Sequence, residues 1–226
     1  MEKWFIKKAD EKIVKLREEL PKLFEKWNEL KKNPTYEGFE DIWTLVEEKK
    51  DVIDRSKVSY KDLRGKIVES FVQMRLEKIY NSITGQKIIK FERKPVELRI
   101  DKTISYKFDP DFIFYTDIED EKTRVFIREN KTSKIPVKLL IAIECKTHVS
   151  DKTHHSRPVL ESLILNKVTP ETTFILLSKT NVIHENNMKV LRAIGAGVKN
   201  YQINNRRWED EVKKELKFYN LRTRHK

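Results

Sequence analysis

Cysteine occurs once in these 226 residues, at Cys145, which excludes an internal disulfide and any cysteine-rich zinc site. Glycine is nearly as scarce, at 5 residues, and a glycine-rich phosphate loop is lacking, which argues against nucleotide binding of the familiar kinds. No stretch approaches the roughly 20 apolar residues of a membrane span. The start Met1-Glu2-Lys3-Trp4 also lacks the apolar run of a signal peptide. Repeats and low-complexity tracts are missing too. These absences predict a soluble, cytoplasmic protein with no membrane partner.

Charge is what the chain has in excess. Lys and Arg number 48 against 36 Asp and Glu, a formal charge of +12, and charged residues make up 37% of the sequence. Such a balance favours a polyanionic partner through counterion release and electrostatic steering. It also suits a heat-adapted surface laced with ion pairs.

Two short strings carry chemistry. Glu144-Cys145-Lys146 ends the run Leu139-Leu140-Ile141-Ala142-Ile143, whose branched residues suit a strand buried on both faces. Side chains alternate along a strand, so Glu144 and Lys146 point one way and Cys145 the other, with the Cys145 carbonyl beside the two charges. Asp109-Pro110-Asp111 precedes Phe112-Ile113-Phe114-Tyr115, a second strand candidate. Pro110 cannot donate to a sheet ladder and therefore suits a strand start, with Asp111 held there.

With these residues the chain resembles the PD-(D/E)xK nucleases, the pattern reading Pro110-Asp111, a gap, then Glu144-x-Lys146. The resemblance covers about residues 63–203 and implies an α/β fold: a restriction-endonuclease-like core, a central mixed β-sheet flanked by helices, preceded by an N-terminal helical region. It implies Asp111, Glu144 and Lys146 as catalytic residues. Asp111, Glu144 and the Cys145 carbonyl are oxygen ligands suited to Mg²⁺. In some members a glutamate of the opening helix also faces the metal, which makes Glu69 a candidate extra carboxylate. Asp109, Asp117 and Glu129 compete for the Asp111 role, but only Asp111 both follows proline and leads directly into the apolar run.

Along the chain, Ile13, Leu16, Leu20, Leu23, Phe24, Trp27 and Leu30 recur at helical spacing, with Asp10 a candidate cap, Pro21 a break and Asn33-Pro34 an end. A further helix is expected around Phe39, Ile42, Trp43 and Val46, and residues 47–61 read as a polar connection. The core opens at Leu63 with an amphipathic helix through Ile67, Val68, Phe71, Val72, Leu76, Ile79 and Tyr80, closed by Thr84-Gly85. Strand-like runs follow at 87–91, 96–100 and 112–115, and another at 124–127 fills the long gap between Asp111 and Glu144. A helix from Pro158 is expected to bury Val159, Leu160, Leu163 and Ile164. A strand at 173–177, a helix at 188–194, a strand at 198–203 and a basic helix from Trp208 complete the order. The domains expected are 1–62 (helical), 63–203 (nuclease core) and 204–226 (basic tail).

The polar segment after the catalytic lysine, with Lys152, His154, His155 and Arg157, is a place for phosphate or base contacts. Within the family, chain length, accessory helices and this segment point to a type II restriction endonuclease acting on double-stranded DNA as a homodimer. The alternatives are a Holliday-junction resolvase or other structure-specific DNA nuclease, a DNA-binding protein without catalysis in which the three residues form an ion-pair cluster, and an enzyme acting on a small anion.

Overall fold

Helices make up the first part of the chain in the computed structural model, which describes residues 11–83, 88–118, 122–128, 133–148, 156–180, 183 and 185–223. The chain divides into two compact units, Met1–Lys78 and Ile79–Lys226. The division falls inside the amphipathic helix.

The first unit contains α1 (Glu11–Glu19), α2 (Pro21–Lys32), α3 (Tyr36–Glu48), α4 (Lys50–Arg55) and most of α5 (Tyr60–Ser82). Pro21 ends one helix and starts the next, because its missing N–H is no loss in a first turn. Thr35 caps α3, its Oγ1 accepting from the Gly38 N–H at 3.1 Å. The apolar stripes meet in a core where Phe71 stacks on Phe39 at 4.3 Å and meets Tyr36 edge-on at 5.3 Å. Residues 47–61 are not a plain connection. They hold α4, whose six residues are too few to show a period and which is anchored by the fully buried Ile53.

In the second unit the strands are β1 (Lys90–Glu92), β2 (Val96–Arg99), β3 (Ser105–Phe108), β4 (Phe112–Asp117), β5 (Val125–Arg128), β6 (Lys134–His148), β7 (Thr173–Thr180) and β8 (Val198–Gln202). The helices are α6 (Ser156–Val168), α7 (Glu185–Ala193) and α8 (Arg207–Thr223). The fold is α/β, with a mostly antiparallel open sheet. One edge of β6 pairs with β4. The other pairs first with β5 and then, in parallel, with β7, which in turn pairs in parallel with β8. β5 leads on to β2 and β3, the latter a strand too polar to be read from its sequence. As expected, the interval between Asp111 and Glu144 holds one additional strand, β5.

One irregularity decides which way the charged string faces. Phe114 pairs with Ile141 but Tyr115 pairs with Leu139, so Leu140 is an extra residue in β6, a β-bulge. Val137 and Leu139 before the bulge and Ala142 after it all join one core cluster with Ile113, Tyr115, Phe174, Leu176, Leu165 of α6 and Met188 of α7. Continuing the alternation, Glu144 and Lys146 lie on this helix-covered face. The opposite face carries Phe91, Phe112 and Phe114, stacked at 4.7 to 5.9 Å with Tyr80 of α5 beside them. Phe112 and Phe114 are fully buried, each worth about 1.5–3 kcal/mol.

The face that α6 buries differs from the one its leucines suggest. Pro158, Glu161, Ser162 and Leu165 point inward, at positions i, i+3, i+4 and i+7, while Leu160 is 50% exposed. α8 packs through Trp208, Val212, Leu216 and Tyr219, and Trp208 Nε1 donates to the Ile203 carbonyl at 2.9 Å. Among the described residues no helix is long and apolar enough to cross a membrane.

Candidate active site

The ladder between β4 and β6 stops at Phe112 opposite Ile143, because Pro110 and the turn before it cannot extend β4. Beyond that point the Cys145 N–H donates to the side chain of Asp111, reaching Oδ2 at 2.7 Å. The N–H and C=O of one strand residue face the same edge, so the Cys145 carbonyl is turned to the edge that Asp111 occupies. On its other edge β6 stays paired with β7 through Lys146 opposite Ser178 and His148 opposite Thr180. The string 144–146 is thereby fixed on both sides, by a ladder and by a carboxylate.

Glu144 and Lys146 point to one face, as alternation requires, and form an ion pair. The Glu144 side chain is only 5% exposed and that of Lys146 30%. Burial pushes the Glu144 carboxyl above the usual carboxylate range. The negative charge of Glu161 adds to the rise, while Lys146 and Arg157 oppose it. Burial works against the charge on Lys146, yet Glu144 and then Asp111 hold its pKa above the ordinary lysine value. A buried carboxylate of this kind is stabilised by any further cation brought to it.

Sequence reasoning missed two members of this neighbourhood. Glu161 of α6 is fully buried. Its Oε1 accepts from Arg157 Nε at 2.7 Å and from the Tyr106 hydroxyl at 3.4 Å, while its Oε2 is buried without a partner among the described residues. Arg157 and Glu161 lie four apart on α6, a spacing visible in the sequence. Their meaning was hidden because the helix was oriented by its leucines. Tyr106 sits on β3, which has no clear signature. Arg93 stands on the other side, 3.7 Å from Asp111 Oδ1.

The other candidates have surroundings of their own. Glu69 is on α5 in the first unit, where Lys66 Nζ donates to it at 2.8 Å. Asp109 is exposed and 3.8 Å from Lys107, and Asp117 pairs with Lys90 at 2.5 Å. Lys152, His154, His155 and Glu129 lie outside the described residues.

The donor set suits a hard cation of small protein demand. Among the described residues no three His, Cys, Asp or Glu side chains gather to hold a metal. Mg²⁺, however, is commonly held by one or two carboxylates together with water and substrate phosphate. The carboxylates of Asp111 and Glu144 with the Cys145 carbonyl are such a set. No protein-family model and no curated protein sequence matches this chain.

Proposed function

We propose that the chain is a Mg²⁺-dependent nuclease of the PD-(D/E)xK kind, hydrolysing phosphodiester bonds of double-stranded DNA at a specific sequence in the manner of a type II restriction endonuclease. One observation carries the reading: the Asp111 carboxylate is bound to the Cys145 N–H, at the centre of the Glu144-Cys145-Lys146 string. An antiparallel β4–β6 pair, a helix and the parallel strand β7 surround the site, an order that resembles a restriction-endonuclease-like core.

The division of labour follows from charge. Asp111, Glu144 and the Cys145 carbonyl would hold Mg²⁺, which when bound offsets phosphate charge and lowers the pKa of water. Lys146 keeps its proton and donates it in hydrogen bonds to the attacking water or the scissile phosphate, stabilising charge that develops there. Tight packing around Glu144 keeps bulk water from its carboxylate and strengthens each of these contacts. The excess of Lys and Arg draws in the polyanion, and the helical unit 11–78 would serve substrate embrace or homodimer formation.

Cleavage of a large natural DNA with Mg²⁺, followed on a gel, tests the assignment. Discrete bands are expected from the wild type. Asp111→Ala, Glu144→Ala and Lys146→Ala should each reduce cutting to background while leaving duplex binding largely intact. Full cleavage by all three variants ends the assignment, and preference for a four-way junction redirects it to a resolvase. The Glu144–Lys146 ion pair favours a second reading, DNA binding without catalysis. That reading predicts salt-sensitive binding and no metal-dependent nicking.

A further inference from the structure

Glu161 is a carboxylate where a packing residue would be expected. It shares the inward face of α6 with Leu165, is wholly shielded from water, and leaves Oε2 with no donor among the described residues. Burying a charge on these terms is costly, and an apolar side chain of similar volume would do a purely structural job better. Its other oxygen is committed to Arg157 Nε at 2.7 Å and to the Tyr106 hydroxyl at 3.4 Å. Arg157 itself is different: its side chain is 57% exposed. Gripped at Nε by Glu161 and hydrogen-bonded to Tyr106, this exposed guanidinium is held in one plane, and a guanidinium so held offers the fork geometry that phosphate oxygens accept in pairs. Arg157 also lies close enough to Glu144 and Lys146 to act on the charge of both.

We infer that Arg157 is a phosphate contact for the DNA backbone and that Glu161, supported by Tyr106, is the positioning residue that holds it in its binding orientation. The nature of the ligand rests on the nuclease reading above. A phosphodiester entering beside Asp111, Glu144 and Glu161 meets three acidic groups, and Arg157 with Lys146 supplies the opposing charge. Lys146 is the less exposed of the two, at 30% against 57%, and serves the scissile centre, while Arg157 reaches outward to the flanking backbone. An unanchored arginine would have to lose its side-chain freedom on each binding event. One already clamped to a buried carboxylate has lost most of it beforehand.

The test is the salt dependence of binding to a short DNA duplex, with Ca²⁺ in place of Mg²⁺ so that binding is read without cutting. Each phosphate contact contributes about 0.9 to the slope of log K against log salt. Arg157→Ala should lower that slope by about one and weaken binding about tenfold. Glu161→Ala and Glu161→Asp should do the same although Arg157 remains, because neither alanine nor the shorter aspartate reaches Nε. Glu161→Gln, which keeps an acceptor in place, should restore a slope near that of the wild type. A merely structural or bystander glutamate gives the opposite sign: removing its negative charge leaves the slope unchanged and leaves binding to a polyanion equal or tighter. That result for Glu161→Ala overturns the inference, and if the alanine variant does not fold, a wild-type slope in Glu161→Asp overturns it equally. Duplex binding by the wild type without Mg²⁺-dependent cleavage removes the nuclease reading and leaves this one standing. Absence of salt-dependent binding in the wild type removes both.

Discussion

Glu97 shows what a charge requires in order to be buried in this protein. Its side chain is 7% exposed, and both oxygens are engaged: Lys134 Nζ donates to Oε1 at 2.6 Å, and Arg128 Nε and Nη2 to Oε2 at 3.1 and 2.8 Å. The hydrogen bond from Lys134, aided by Arg128, holds the carboxyl below its ordinary value of 4.5. A depressed folded-state pKa contributes stability that is present above the unfolded value and lost as pH falls through the folded one. Glu97→Gln should therefore cost about 1–3 kcal/mol at neutral pH, and the difference should shrink as pH drops below about 4. Urea unfolding at a series of pH values checks this, and a difference that persists undiminished in acid would count against it. Glu161 is the counter-example, equally buried but satisfied at only one oxygen among the described residues. The contrast between two buried glutamates, one completed and one not, separates a structural charge from one held for use.

At the scale of elements, periodicity served well where apolar residues were numerous and failed where they were few or misleading. Ile67, Val68, Phe71, Val72, Leu76 and Ile79 are all buried on α5, as their spacing requires. α4 is too short to show a period, and β3 alternates too weakly to be seen. On α6, leucine and isoleucine are distributed around the helix, so hydrophobicity alone could not choose a face. The face chosen by the fold carries Glu161 and Ser162, which a hydrophobic reading assigns to solvent. α5 also holds a local weakness. Gly65 lies inside the helix, and a Cβ built there meets nothing within 4 Å. Gly65→Ala should stabilise the protein by about 1 kcal/mol by removing backbone freedom from the unfolded chain. A thermal unfolding midpoint that falls instead would show that the open space is needed.

For the whole molecule, element order was the most legible property. The order of strands and helices from Asp111 onward follows the sequence reading closely, and the same-face placement of Glu144 and Lys146 follows from alternation alone. The site became legible to that extent because both strings adjoin strong apolar runs. Pro110 announces where the ladder ends, but the contact between Asp111 and the Cys145 N–H depends on the register of β4 against β6, which no residue announces. Within the first unit most of α5 gathers its partners from the N-terminal helices, such as Phe39 and Tyr36 around Phe71.

The bulge at Leu140 makes the identity of the two sheet faces a matter of phase. Every side chain after it is shifted by half a period relative to those before it, so the chemistry of residues 141–148 is set by whether the preceding count is odd or even. Removing Leu140 itself would only restore a regular ladder with the same faces, but removing Ala142 with the bulge kept would shift the string out of phase while leaving the net charge untouched and the composition almost so. It would nevertheless turn Glu144 and Lys146 toward Phe91 and Tyr80 and bring Cys145 beneath α6. Such a deletion should abolish cleavage as fully as Glu144→Ala and lower the unfolding midpoint as well. A second deletion beside it would restore the phase. In this strand the spacing of a motif to its own apolar run matters less than the parity of the residues between the bulge and the last ladder pair.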